Sequence, residues 1–120
     1  MYQWKMKELT IEYDFDDAIA MEKYEKAMVD VYEQCDAFSK RLKNEVVSRK
    51  EQIRVQCEIV HNCFKTMFDD KTVVALFEGR HNLKETIDIF DSFVSFALTS
   101  INESNNHINS VLEKYSGKKK

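Results

Sequence analysis

The sequence predicts a mainly α protein: a bundle of three long helices and one short helix, preceded by an N-terminal β-hairpin. Three observations carry this. The 120 residues include no Pro and two Gly, so almost nothing breaks a helix. Apolar residues recur at three- and four-residue steps over three long stretches, which is the helical period. Only the first fifteen residues alternate with period two, as a strand does. With 43% apolar residues and eight Phe, one domain over residues 1–120 with a modest core is expected.

Tyr2, Trp4 and Met6 alternate with polar residues. Leu9, Ile11, Tyr13 and Phe15 do so again after a phase slip at Lys7 and Glu8. Strands at 2–6 and 9–14 are expected, joined at the slip, although Lys-Glu is poor turn chemistry. An isolated two-stranded hairpin is marginal in water. This one must pack on helices or add to a neighbouring subunit.

Asp14, Asp16 and Asp17 supply caps and negative charge for a helix N-terminus. A cation-binding loop would need further oxygen ligands and a central Gly, which do not follow. Met21, Tyr24, Met28, Val31, Cys35, Phe38 and Leu42 then place a first helix at 17–43. A second is expected at 46–68, on Val46, Ile53, Cys57, Val60, Phe64 and Met67, widened by Ile59, Cys63 and Phe68. Thr72 caps a short third helix through Val73, Val74, Leu76 and Phe77, and Gly79 stops it. Asn82 and Glu85 resemble a capping box opening a fourth helix that runs to Tyr115. Its polar centre, Asn102 to His107, is the place for a kink. Residues 116–120 are expected to form a disordered tail.

The fourth helix carries two apolar stripes. Leu83, Ile87, Phe90, Val94, Ala97, Ile101, Ile108, Leu112 and Tyr115 make the first; Ile89, Phe93 and Phe96 lie beside it. One stripe of about 100° suffices to cap a small core. The first is therefore expected to face the core, and the second either a partner or, in a bundle that buries its central helix nearly all round, the same core. Leu83, Ile87, Ile89, Phe93 and Phe96 are the expected oligomer or client surface, with the hairpin around Trp4 as a second contact. An apolar patch of that kind is covered by self-association or by an amphipathic helix.

The net charge of −3 is unevenly spread. Residues 1–36 hold ten acids against four bases, residues 37–65 seven bases against three acids, and Lys118–Lys120 add three bases. Opposite charge on successive thirds suits internal pairing or head-to-tail assembly. Arg41, Lys43, Arg49, Lys50 and Arg54 cluster at the junction of the first two helices. They support an alternative reading, a small regulatory or nucleic-acid-associated module using residues 40–54. The acidic chain and the intervening Glu45 and Glu51 weigh against nucleic acid.

Catalytic chemistry has little to stand on. There is no Gly-x-Ser-x-Gly turn, and two distant Gly cannot cradle a phosphate. Cys57, His61 and Cys63 come nearest to a metal cluster, but no second paired motif completes four ligands. No catalytic, metal or cofactor residues are assigned and no enzyme activity is expected. Three Cys in helical patterns read as reduced and buried, hence cytoplasmic. No basic start precedes an apolar run, and no stretch reaches about 18 apolar residues, so neither a signal peptide nor a membrane span is expected.

The order of pieces is informative. An alternating N-terminal segment leads through Asp residues into a helix with Ala-x-x-x-Glu-Lys-Tyr-Glu at Ala18 to Glu25. A helix holding Cys57 to Phe68 follows, then Leu76-Phe77-Glu78-Gly79, then Asn82-Leu83 opening a Phe-rich helix. This layout resembles the small helical tail-module proteins of phages and prophages of Gram-positive bacteria, similar to tail assembly chaperones. In that pattern a Gly directly follows the Phe of the short turn; here Glu78 intervenes. The resemblance implies a homo-oligomeric, non-enzymatic protein of the bacterial host cytoplasm. Its client would be a helical tape-measure protein, coated until the tail tube assembles around it.

Overall fold

The computed structural model describes residues 2–116. About three quarters of them are helical, with four helices behind a two-stranded antiparallel hairpin. Strands β1 (Tyr2–Met6) and β2 (Leu9–Tyr13) pair with Trp4 opposite Ile11. The period-two pattern sets the face: Trp4, Ile11 and Tyr13 are buried while Gln3, Lys5, Thr10 and Glu12 are exposed. Lys7 takes φ 57° in the turn, where Gly would sit without strain. Its side chain offsets that cost, donating to the Leu76 carbonyl at 2.9 Å and pairing with Glu78 at 2.9 Å.

Helix α1 (Ala18–Asn44) is capped by Asp17, whose carboxylate accepts from the Ala20 N–H at 2.9 Å. Helix α2 spans Arg49–Met67 behind Ser48. It does not begin at Val46, which is fully exposed in the connection; Ser48 is the better cap and stops α2 there. Helix α3 (Asp70–Phe77) is capped by Asp69, accepting from the Thr72 N–H, rather than by Thr72. It ends on Glu78 at φ 53°, with Gly79 also left-handed at φ 70°. Helix α4 (Leu83–Tyr115) is capped by Asn82, accepting from the Glu85 N–H, and its polar centre remains helical. The Glu85 carboxylate turns to Arg80 at 2.8 Å instead of closing the box. Of the expected tail only Ser116 is described; 117–120 lie outside the described residues.

Helices α1 and α2 pack antiparallel, with Arg41 beside Glu51 at the tip and Asp30 level with Cys63 further in. Helix α4 runs alongside α2 in the same direction, so Ile87 and Phe90 meet Ile59 and Val60, and Phe93 meets Phe64 and Phe68. The core is aromatic and Phe93 is its hub, ringed by Trp4, Tyr13, Phe15, Tyr24, Phe64, Phe68 and Phe96. Trp4 stacks on Phe64 and Phe96, and its Nε1–H donates to Ser92 Oγ at 3.0 Å. The hairpin thereby becomes a lid on the helices, which is what a marginal pair of strands requires.

The buried face of α4 is centred on the second stripe and takes in part of the first. Thr86, Ile89, Phe93, Ala97, Ser100 and Ser104 form the buried line. Ile89 and Phe93 are core residues and not a partner surface, and Phe96 is half-buried against Trp4 and Phe15. Trp4, expected as a contact, is 3% exposed within its own chain. The first stripe is divided: Ala97 is buried and Phe90 and Ile101 pack against the core, while Ile108, Leu112 and Tyr115 are exposed, as is Ile87, one of the residues expected on the partner surface.

Candidate functional site

The molecule measures 63 × 34 × 22 Å with a radius of gyration of 17.9 Å, against about 13–14 Å for a compact chain of this length. The helices are of unequal length and staggered, so each end lacks a layer. At one end the outer halves of α1 and α2 extend as a pair beyond the start of α4. At the other, α4 continues past Ser104 as a lone helix; every described residue after Ser104 is exposed.

Over the extended α1–α2 pair lies an apolar groove of about 290 Å³. Val31, Cys35, Phe38 and Leu42 of α1 form one wall, Gln56, Ile59 and Val60 of α2 the other. Ile87 and Phe90, near the start of α4, close its inner end. The three-four rhythm of α1 continues to Leu42, yet the third helix covers only the inner half. Leu42 and Ile87 at its rim are 40% and 42% exposed, while Phe38, Ile59 and Val60 on its floor are already buried. Cys35, expected to be buried, is exposed on this wall; Cys57 and Cys63 are buried, and all three are free thiols. Burial pushes the Cys63 thiol up to about 12, which removes it as a nucleophile near neutral pH.

The basic junction divides into paired and unpaired groups. Arg41 bridges Glu45 and Glu51, and Arg54 bridges Glu51 and Glu58. The Arg54 hydrogen bonds, with those of Arg41, hold the Glu51 carboxylate down to about 2. Among the described residues, Lys43, Arg49 and Lys50 meet no carboxylate within 4 Å, so the tip keeps a positive excess. The opposite end carries Asp14, Asp16 and Asp17 in the turn before α1, beside Ser104 and its neighbour Glu103 where α4 leaves the bundle. Ser104 Oγ–H donates to Asp16 there.

No group of three or more His, Cys, Asp or Glu able to hold a metal occurs among the described residues. Cys57 is enclosed, and His61 packs on Phe77 and His81 with ring centroids 4.3 and 5.2 Å away. His61 Nε2 is buried with no hydrogen-bond partner. Burial holds the His61 imidazole below its ordinary value; His81 and Lys65 push the same way and Glu58 opposes them. The unfolded chain therefore takes this proton more readily than the fold does. Stability is fully present above the unfolded value and falls as pH drops from there through the lowered folded value. Thermal melts should show wild-type Tm declining from about pH 6.5 downward, and His61→Phe should flatten that limb. An unchanged decline in the variant would assign the proton elsewhere.

No described helix is long and apolar enough to cross a membrane. The chain belongs to the DUF6673 family, a family of unknown function, whose model matches residues 7–120. No curated protein and no solved structure matches it.

Proposed function

We propose that this protein is a non-catalytic assembly module that receives an amphipathic helix in the groove over α1 and α2 and also self-associates. The observation that carries the reading is the open groove where the bundle lacks its third helix. Two helices with apolar inner faces are completed by a third, and anchors at i, i+3, i+4 and i+7 would fill the walls. The resemblance to phage tail assembly chaperones supplies a client of this chemistry, a long helical tape-measure protein. Free thiols agree with a reducing bacterial cytoplasm as the place of action. The paired Arg41 and Arg54 leave the nucleic-acid alternative with less free charge than the sequence offered.

The test uses a fluorescent synthetic amphipathic helix with Leu at those four spacings and acidic outer positions. Anisotropy should report saturable binding to the full chain. Leu42→Glu, which adds a charge to the groove wall, should weaken it about tenfold or more. No binding, or binding indifferent to Leu42→Glu, would overturn the reading.

A further inference from the structure

We propose that the groove is filled, in the free protein, by the α4 arm of a second copy, joining copies end to end along the long axis. The inference rests on the groove reading above and names its occupant. Ile108, Leu112 and Tyr115 stand at i, i+4 and i+7 on the arm, 46%, 59% and 83% exposed. That is the anchor pattern of a helix that lies in a groove. The arm from 105 to 115 and the α1 wall from Val31 to Leu42 each span about 15–17 Å at 1.5 Å per residue, while the α2 wall from Gln56 to Val60 spans about 6 Å and meets one turn of the arm.

The arm cannot serve its own groove. Ile87 and Ile108 lie on one continuous helix, about 30 Å apart along its axis. A second copy translated along that axis meets no such bar. Its arm enters from the α1–α2 tip, the C-terminus of its α4 faces the N-terminus of the receiving α4, and the helix dipoles align head to tail. The charges agree independently. The arm leaves its bundle beside Asp14, Asp16, Asp17 and Glu103, and that acidic end would reach Lys43, Arg49 and Lys50 at the receiving tip. The contact joins two different surfaces, so it propagates. A client helix and a neighbour's arm would compete for one groove, which ties client loading to the release of self-assembly.

Sedimentation of the full chain over a concentration series tests this. Wild type should grow beyond a monomer, while Leu112→Glu and Leu42→Glu should each remain monomeric. An equimolar mixture of the two variants should form a dimer, because the intact arm of one fits the intact groove of the other. Both substitutions fall at exposed positions; Ile87→Glu, also exposed, is the second groove variant should Leu42→Glu melt early. A monomeric wild type, assembly untouched by Leu112→Glu, or a mixture that stays monomeric would overturn the proposal. Probe-helix binding by Leu112→Glu separates the two readings: if it persists, only the occupant is wrong, and if it is lost with a folded protein, the groove itself fails.

Discussion

Phe93→Ala will cost about 3–5 kcal/mol of folding stability, the upper range for truncating a buried aromatic. Phe93 has no exposed surface, and the rings around it come from both strands, the β2–α1 connection, three helices and the α2–α3 junction. No single neighbour can move to fill the space, because each ring is also held by another. A domain of this size has only about 5–15 kcal/mol in total. Urea denaturation followed by circular dichroism should show the midpoint falling sharply with little change in slope. Leu112→Ala, on the arm, should shift stability by no more than about 0.5 kcal/mol. Equal effects at the two positions would place the core on the wrong stripe.

Trp4→Ala is the second large effect, also about 3–5 kcal/mol, with a different signature. Trp4 pins the hairpin to α2 and α4 through Phe64, Phe93 and Phe96, and its indole N–H satisfies Ser92. Two strands alone are marginal, so the variant should release the hairpin before the helices unfold. Hydrogen exchange should accelerate throughout 2–13 while α2 stays protected. Trp4→Phe keeps a ring and loses the hydrogen bond, at about 1 kcal/mol. A Trp4→Ala protein with a fully protected hairpin would contradict this docking.

The elements were legible because their signals are local. Asp17 and Asn82 announced helix starts, the slip at Lys7 announced the turn, and the scarcity of Gly and Pro announced long helices. Periodicity alone starts α2 too early, because Val46 continues the apolar rhythm outside the helix and only the cap at Ser48 sets the boundary. Which stripe of α4 faces inward was not legible. The buried line is closed by Thr86, Ser100 and Ser104, small polar residues that fit where α4 passes close to its neighbours, so the core side reads as the weaker stripe. The groove was hidden for a related reason. Phe38 and Ile59 are buried as their periodicity implies, but Leu42, in the same rhythm, is left at the rim, and periodicity carries no information on how far one helix slides past another. The stagger leaves half of the α1–α2 pair uncovered, and stagger is a property of tertiary packing.

The apolar rim of the α1–α2 groove, Leu42 and Ile87, and the α4 arm are both exposed in a single copy and, on the proposal above, cover each other between copies. Amide hydrogen exchange as a function of protein concentration addresses this mutual cover most directly. In dilute solution the arm has no tertiary contacts and residues 105–115 should exchange nearly as fast as a free helix. As concentration rises, protection should appear together in 105–115 and along 31–42, while the Phe93 core remains unchanged. Protection of the arm that does not depend on concentration, or that never appears while the groove stays open, would contradict the account.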